Sequence, residues 1–395
     1  MVGRNIEIDR AELLDLLAKL ISINSVNPVF GPEGAGEGEI GLFVAEYFKK
    51  NKIPLERQEV LPGRFNVIGK WKGKIQERCL VFDAHLDTVS IQGMEIAPFK
   101  PEIRNNRIYG RGSCDVKSGL AAMLMALRAI SRMDAPPPYS IWLLASIDEE
   151  HSFQGIRHFA AQAPPALSAV IAEPTSLDII VSHKGILRWA IRTLGRQAHS
   201  SKPRLGINAI SKMAHLIRVL EERLPPLYSA RRHPLLGPAT FTVGMISGGI
   251  QVNLVPDRCE IQIDRRTLPG ETAEKILAEF ETILKDLAAE DSDFRSEMGA
   301  PVLEDSALET SADSSIACCA RKACQEVLGL CEVVGVPYGT NASKLSGIGI
   351  PSIVLGPGNI DQAHASVEFV ELDQVGKAAE IYARIMMNLP VSGWG

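Results

Sequence analysis

Most of the residues that could carry out chemistry stand where a short apolar run of the sequence ends. Six side chains able to bind a metal ion or transfer a proton follow such runs, and a seventh stands at the start of a helix-like stretch. In chain order they are His85, Asp87, Asp115, Glu149, Glu150, Glu173 and His364. Open parallel sheets place ligand sites at the carboxyl ends of their strands, so these side chains are expected to converge on one site if the runs are neighbouring strands.

The mixture of histidines and carboxylates indicates the kind of site. It suits zinc, cobalt or manganese better than calcium, which prefers oxygen ligands alone. Taken singly, each residue has an ordinary explanation: Glu149 and Glu150 could begin a solvated helix, and His364 could be a surface histidine. Their joint occurrence at successive strand ends is what predicts a metal site.

Other catalytic signatures are weak in this sequence. The stretch from Gly110 to Asp115 resembles a dinucleotide-binding fingerprint, but its sixth position is an aspartate and the apolar run before it is poor. The sequence has no Walker phosphate loop and no G-x-S-x-G nucleophile elbow. It therefore favours metal-assisted chemistry over nucleotide binding or a serine nucleophile.

The elements that would position these residues follow an α/β pattern. Amphipathic spacing predicts helices over Asp9–Ile21, Glu39–Lys50, Gly119–Ile130, Ala312–Leu328 and Leu372–Leu389. Apolar runs without alternation predict strands buried on both faces over Cys79–Phe82, Ile141–Ile147, Ala169–Ala172 and Ser352–Leu355. The helix Gly119–Ile130 is typical of a crossover between two parallel strands. We therefore predict an α/β fold with a mostly parallel sheet covered by helices.

The pattern changes between about residues 183 and 298. Strand-like and helical stretches follow in the order βαββαβ, over Ile186–Leu194, Ile207–Glu222, Thr240–Ile246, Cys259–Arg265, Ala273–Leu287 and a short strand near Phe294. This order is the split-βαβ, ferredoxin-like pattern. A chain of 395 residues is an ordinary length for two domains. We therefore predict a discontinuous metal-binding catalytic domain of residues 1–182 and 299–395, with an α+β domain of residues 183–298 inserted into it.

Composition excludes several classes of partner. The chain has 42 Lys and Arg against 47 Asp and Glu, without a basic run, so nucleic acid is not an expected partner. Its start lacks the apolar stretch of a signal peptide, and no apolar run approaches the ~18 residues of a membrane span. The seven cysteines form no C-x-x-C pair, and Cys318, Cys319 and Cys324 fit a helical core better than a metal site. These features predict a cytoplasmic protein with reduced thiols.

Five segments that contain the candidate residues occur in the order of one known family. They are His85-Leu-Asp87, the segment from Gly110 to Gly119, Asp148-Glu-Glu150, Ala172-Glu-Pro-Thr175 and the segment from Gly356 to His364. Together they resemble the metallohydrolases that include acetylornithine deacetylase, succinyl-diaminopimelate desuccinylase, aminoacylase and glutamate carboxypeptidase. The similarity covers nearly the whole chain. It is greatest to the acetylornithine deacetylases, through Ser182-His-Lys-Gly185, Ala198-His-Ser-Ser201 and Leu268-Pro-Gly270.

The resemblance implies a di-zinc peptidase-like catalytic domain. In it Asp115 bridges two divalent ions, most simply Zn²⁺, with Co²⁺ or Mn²⁺ as alternatives. His85 and Glu173 complete one ligand set, and Glu150 and His364 complete the other. Three ligand carboxylates against two divalent ions leave a net positive charge, which favours the formation of hydroxide from water.

The resemblance also assigns roles to two residues beside the ligands. Asp87 is implied to orient His85 through its second ring nitrogen, which would fix the tautomer. Glu149 is implied to act as the general base that takes the proton from the attacking water. The implied reaction is hydrolysis of the amide bond of an N-acyl amino acid or short peptide, in the manner of an acetylornithine deacetylase-like deacylase.

The inserted domain is implied to supply contacts to the substrate. By resemblance, His199 donates to the oxyanion, while Asn253 and Arg266 bind the substrate, the latter by its fork of N–H donors. Thr340 in the catalytic domain is a further implied substrate contact. A βαββαβ unit has an edge strand that pairing with its own copy would cover. We therefore expect a homodimer through residues 183–298, in which His199 reaches the site of the partner subunit.

One departure from the family concerns Asn341. Relatives often have aspartate in the segment Gly-Thr-Asp-Ala-Ser-Lys, whereas this chain has Gly339-Thr-Asn341-Ala-Ser-Lys344. We interpret the change as the loss of a negative charge near the substrate. Two alternatives stay open: a dipeptidase or carboxypeptidase of the same family, and a catalytically inactive metal-binding module. The retention of Glu149, which is not a ligand, argues against the inactive module.

Overall fold

The computed structural model describes residues 6–391 and divides into two compact units. The first unit comprises Met1–Val181, Glu309–Val334 and Thr340–Gly395. The second comprises Ser182–Leu308 and Gly335–Gly339. None of the helices within residues 6–391 combines the length and the apolar composition needed to cross a bilayer. All seven cysteines are free thiols.

The helices largely match the predicted ones. They are α1 Arg10–Ser22, α2 Gly38–Lys50, α3 Lys117–Ser131, α4 Gln154–Ala161, α5 Ala209–Ser229, α6 Ala273–Glu290, α7 Ser315–Leu328, α8 Ala342–Ser346 and α9 Leu372–Asn388. Helix α7 begins later than predicted, because the side chain of Ser314 caps it by accepting the N–H of Ala317. Helix α5 continues past its predicted end, through two prolines, because Leu224 and Tyr228 extend its buried face. The short helices α4 and α8 were not predicted.

The strands within residues 6–391 all lie between α2 and α9 in the chain. They are β1 Leu55–Leu61, β2 Arg64–Trp71, β3 Ile75–His85, β4 Glu102–Arg104, β5 Arg107–Tyr109, β6 Tyr139–Ser146, β7 Ala166–Ile171, β8 Ile179–His183, β9 Gly185–Leu194, β10 Arg232–His233, β11 Gly237–Pro238, β12 Thr240–Gly248, β13 Arg258–Thr267, β14 Arg295–Met298, β15 Leu303–Asp305, β16 Leu308–Glu309, β17 Val333–Val336, β18 Ser352–Val354 and β19 Phe369–Glu371.

The first unit is built on a mostly parallel sheet. Strands β6, β3, β7 and β18 lie side by side in that order and are parallel, while β2 and β1 continue one edge in antiparallel fashion. Helix α3 lies in the connection between the parallel neighbours β3 and β6, and it packs against α1 and α9. It is buried along almost its whole length, from Lys117 to Leu127. This confirms the predicted α/β fold, in which both faces of the central strands are covered.

The second unit contains a five-stranded antiparallel sheet with two helices. The strand order is β12-β13-β9-β14, and β15 also pairs with β9. Helices α5 and α6 pack on one face, where the rings of Trp189 and Phe280 lie edge to face at 4.8 Å. The order of elements is the predicted βαββαβ, with the small hairpin β10–β11 inserted before β12. The sequence did not predict that hairpin, which lies in a stretch without regular periodicity.

Candidate metal centre

The predicted ligands lie at one edge of the parallel sheet. His85 is the last residue of β3, Glu150 lies four residues beyond the end of β6, and Glu173 lies two residues beyond the end of β7. Because these are neighbouring parallel strands, their carboxyl ends meet at this edge. Asp115 reaches the same place from the loop before α3, and His364 reaches it from the loop after β18.

The structure brings the five ligands together in two overlapping sets. One is His85, Asp115 and Glu173, the other is Asp115, Glu150 and His364, and the ligand atoms within each set lie within 4.8 Å of one another. Oδ1 of Asp115 lies 3.0 Å from Nε2 of His85, and Oδ2 lies 3.4 Å from Nε2 of His364. Oε2 of Glu150 lies 3.1 Å from the same nitrogen of His364. Each oxygen of Asp115 therefore faces a different set, which is the arrangement that a carboxylate bridging two ions requires.

The charges of the cluster fit bound cations. Burial, followed by the charges of Glu149 and Asp115, raises the pKa of Glu173 well above its ordinary value. Burial and the charge of Asp115 likewise raise the pKa of Glu150. Oε1 of Glu173 is buried and has no hydrogen-bond partner within residues 6–391. A buried carboxylate without a partner is stabilised by a cation, and this mixed donor set suits zinc, cobalt or manganese.

Protons on the two histidines balance part of this negative charge. Burial acts to lower the pKa of His85, but its hydrogen bond to Asp115 and the charge of Glu149 raise that pKa well above its ordinary value. Hydrogen bonds to Asp115 and Glu150 raise the pKa of His364 to about 10. Burial acts to raise the pKa of Asp115, but the two histidines hold it well below its ordinary value. A metal ion bound at these residues would displace protons from the imidazole rings.

Asp87 lies at the second ring nitrogen of His85, and its backbone oxygen is closer to that nitrogen than its carboxylate is. Nδ1 of His85 lies 2.9 Å from the backbone oxygen of Asp87, whereas the Asp87 carboxylate is 3.7 Å from this nitrogen. The carboxylate instead accepts the backbone N–H groups of Glu149 at 3.0 Å and Glu150 at 3.1 Å. The main chain of Asp87 therefore orients His85, while its side chain fixes the segment that carries Glu149.

Glu149 adjoins the ligands without belonging to either set. Burial is the main cause that raises the pKa of Glu149 well above its ordinary value, with His85 opposing the shift and Glu150 and Asp115 adding to it. A carboxylate with a raised pKa accepts a proton more readily near neutral pH. The position of Glu149 beside the predicted ligands and its raised pKa both fit the predicted role of a general base.

The carboxylate of Glu368, a residue that the sequence did not single out, holds the loop that carries Asp115. Glu368 is fully buried and accepts the backbone N–H groups of Gly112 at 3.0 Å, Cys114 at 2.9 Å and Asp115 at 3.1 Å. Arg111 donates to the same carboxylate at 2.8 Å. The only signal in the sequence is an acidic residue directly before an apolar strand-like segment. Glu368 thus fixes Asp115, the predicted bridging ligand, through the backbone.

Thr340 and Asn341 are buried, each 1% exposed. The hydroxyl of Thr340 accepts the N–H of Ala342 at the start of α8. Nδ2 of Asn341 donates to Oδ2 of Asp83 at 2.8 Å and to Oγ of Ser146 at 3.1 Å. The side chain of Asn341 is therefore engaged inside the protein, and the interpretation that it changes the charge near the substrate stays a prediction. Its amide donates to a buried carboxylate, which an ionised aspartate cannot do.

The other predicted substrate contacts lie in the second unit. His199 and Asn253 are neighbours, because His199 forms a β-bridge with Leu254 and backbone hydrogen bonds join the two segments. Both residues are exposed. Nε of Arg266 donates to Oδ1 of Asp264 at 2.8 Å, and the Arg266 side chain is 31% exposed. All three side chains therefore have polar atoms at the surface of this unit.

Known proteins share both the sequence pattern and the fold. The pattern of peptidase family M20/M25/M40 matches residues 81–388, which include all five ligands. The acetylornithine deacetylase of Vibrio campbellii is 30% identical over 382 residues, which are 95% of this chain and 98% of that relative. The structure of aminopeptidase PepT from Bacillus cereus has a TM-score of 0.79 at 20% identity and covers 96% of this chain and 98% of its own. The YXEP protein of Bacillus subtilis, a dinuclear metal binding peptidase, has a TM-score of 0.72 at 17% identity over 96% of this chain and 97% of its own.

Proposed function

This chain belongs to peptidase family M20/M25/M40 and is a hydrolase of amide or peptide bonds, and we propose that it acts on N-acyl amino acids. The observation that supports this chemistry most strongly is the position of Asp115 between two ligand sets, with Glu149 next to Glu150 in the chain and part of neither set. The deacetylase relative, which is similar over nearly the whole of both chains, supports the acyl amino acid over other amides.

The cofactor that we propose is a pair of zinc ions, for which cobalt or manganese could substitute. His85, Asp115 and Glu173 would hold one ion, and Asp115, Glu150 and His364 would hold the other. Two divalent ions at these ligands would lower the pKa of a water molecule and stabilise negative charge on the scissile carbonyl oxygen. The donor types and the unpartnered Oε1 of Glu173 support this assignment.

Glu149 is proposed to move the proton. Its carboxylate takes a proton from the attacking water, whose oxygen bonds to the acyl carbon. The same carboxyl then delivers the proton to the nitrogen of the leaving amine as the C–N bond breaks. Asp87 supports this role by accepting the backbone N–H of Glu149, which limits where the base can lie.

His199 is proposed to stabilise the oxyanion. The N–H of Ser201 donates to Nδ1 of His199 at 3.1 Å, so the neutral ring carries its proton on Nε2. That N–H is the donor that a developing oxyanion needs. Asn253, which lies beside His199, and the guanidinium of Arg266 are proposed to bind the substrate, the latter at its carboxylate. Thr340 is proposed as a further substrate contact, because its hydroxyl accepts the N–H of Ala342 and can still donate its own proton.

We further propose a homodimer formed through the second unit, in which each protomer supplies His199 to its partner. Strand β12 is an edge of the sheet, and it exposes Met245 and Ile246 at 62% and 57%. Pairing of this edge with a second copy would cover both the open backbone groups and these apolar side chains. The seven free thiols agree with the proposal that the protein works in the reducing cytoplasm.

A substrate panel tests the proposed function. Metal-free protein reloaded with zinc or cobalt would be assayed on N-acetyl, N-succinyl and N-formyl amino acids beside dipeptides, with a chelated sample as control. Release of a free amino acid from N-acyl substrates at the higher kcat/KM is the expected result. Faster cleavage of dipeptides would favour the alternative, a dipeptidase or carboxypeptidase, which the fold allows equally well.

A further inference from the structure

Asn27, in the segment that follows α1, is a buried residue close to the metal centre. Its backbone N–H donates to the backbone oxygen of Thr88 at 2.9 Å, and Val26 forms a parallel β-bridge with Thr88. Asn27 is 0% exposed, and its side-chain oxygen accepts the N–H of Val29. The main chain therefore fixes Asn27 next to Asp87, the residue before Thr88.

The side-chain amide of Asn27 lies between two buried carboxylates. Nδ2 donates to Oδ2 of Asp87 at 2.9 Å and to Oδ1 of Asp148 at 2.9 Å. A primary amide has two N–H groups, so each carboxylate receives one. Asp87 and Asp148 are 0% and 1% exposed, and two buried carboxylates without a donor between them repel one another.

These carboxylates belong to the two segments that carry the site. Asp87 follows His85 by two residues and also accepts the N–H groups of Glu149 and Glu150, while Asp148 directly precedes Glu149. We propose that Asn27 is a positioning residue for the reaction. By joining Asp87 to Asp148, it holds the segment Asp148–Glu150 against the end of β3 and so sets where the Glu149 carboxylate lies. This inference rests on the proposed role of Glu149 as the general base.

Arg64 and Glu37 also hold this segment, and Arg64 donates to the same Oδ1 of Asp148 that accepts from Asn27. Arg64 forms two hydrogen bonds with Glu37, at 2.5 and 2.6 Å, and a third with Asp148 at 3.1 Å. Glu37 in turn accepts the backbone N–H of Asp148 at 3.0 Å. Because these bonds do not involve Asn27, a change at Asn27 is expected to displace the segment rather than to unfold it.

Two substitutions separate hydrogen-bond donation from packing. Asp is nearly isosteric with Asn but places a third carboxylate beside the other two, whereas Ala removes the donor and some volume. If Asn27 acts as a donor, Asn27→Asp is the more harmful change, and if it only fills space, Asn27→Ala is. The matched control is Asn24→Ala in the same segment, which loses a 2.9 Å bond to the backbone oxygen of Glu33 and a 3.0 Å bond from the N–H of Val26 but touches neither carboxylate.

The first readout is steady-state kinetics of the zinc-loaded enzyme. Asn27→Ala is expected to lower kcat about 10–100-fold, as is typical for a residue supporting metal ligands, with KM changed less than about threefold and bound metal retained. Asn27→Asp is expected to lower kcat further, and Asn24→Ala to keep the wild-type value. An Asn27→Asp variant that is as active as the wild type, or more active than Asn27→Ala, would overturn the proposal.

The second readout is hydrogen exchange in the metal-free protein, which needs neither substrate nor activity. The backbone amides of Glu149 and Glu150 are expected to exchange faster in both Asn27 variants than in the wild type or Asn24→Ala, because Asp87 is no longer held in place. Unchanged exchange at these amides would overturn the proposal. A wild type that cleaves nothing in the panel would refute the proposed function instead and leave this test intact.

Discussion

Replacement of Asn341 by Asp, the residue that relatives often have there, is expected to destabilise the protein. Asn341 donates to Asp83 at 2.8 Å, and the two residues are 1% and 0% exposed. Burial is the main cause that raises the pKa of Asp83 to about 6. In the variant two carboxyl groups would face each other at this distance, so one of them must keep its proton at neutral pH.

The size of the effect follows from the proton that this pair retains. At pH 7.5 this carboxyl group keeps its proton at a pH about 3.6 units above the ordinary aspartate pKa of about 3.9. Keeping the proton there costs about 5 kcal/mol. Relaxation reduces the loss in the free energy of unfolding to about 3–5 kcal/mol, the range for breaking a buried charged pair. The folded-state pKa lies above the unfolded one, so the loss is absent below about pH 4 and grows as the pH rises. At pH 5.0 the expected loss in the free energy of unfolding is about 1.5 kcal/mol.

Urea unfolding of the metal-free protein at both pH values measures this loss, with circular dichroism as the signal. The control is the exchanged pair Asp83→Asn with Asn341→Asp, in which the amide at position 83 donates to the carboxylate at position 341. It is expected to recover most of the stability at pH 7.5. An Asn341→Asp variant as stable as the wild type at pH 7.5, or equally weakened at both pH values, would refute the reasoning.

Three further results are expected. Glu149→Gln should keep both metal ions but lose about 10²–10⁴-fold in kcat, since general acid–base catalysis contributes that much; near-normal turnover with both metals bound would remove Glu149 from the mechanism. Zinc binding at pH 7.5 should release protons, and the affinity for zinc should rise with pH, because the pKa of His364 is raised to about 10 and only the neutral imidazole is a ligand. Calorimetry in buffers of different ionisation enthalpy measures the number of protons released, and a value of zero would contradict this expectation. His199→Ala should lose about 10²–10³-fold in turnover, and hybrid dimers that pair it with Glu149→Gln should regain activity; hybrids that form but stay inactive place His199 in its own chain's site or outside the reaction.

The sequence predicted the ligand-bearing strands well because their signal is local. A short apolar run that is followed by His85 or Glu173 indicates both the buried strand and the side chain near its carboxyl end. The same holds for the helices, whose apolar spacing repeats over several turns. Helix ends were less certain, as at α5, where the need to bury Leu224 and Tyr228 outweighed two prolines.

The parts that the sequence did not predict depend on contacts between distant segments. Glu368 receives its donors from a loop more than 250 residues earlier, and Asn27 lies 121 residues from Asp148. Nothing in the motif around Asn341 indicates that its side-chain amide donates to Asp83 on β3. Side-chain periodicity carries no information on such pairings, which are fixed by the packing of the whole sheet.

If Asp115 joins two metal sites that work as one, full activity requires two bound ions in each chain. The most direct test is to titrate the metal-free protein with zinc and to measure bound metal and hydrolysis of its best substrate in the same samples. We predict that activity reaches its maximum only as the bound metal reaches two ions per chain. Full activity with one bound ion per chain, unchanged by the second, would contradict it.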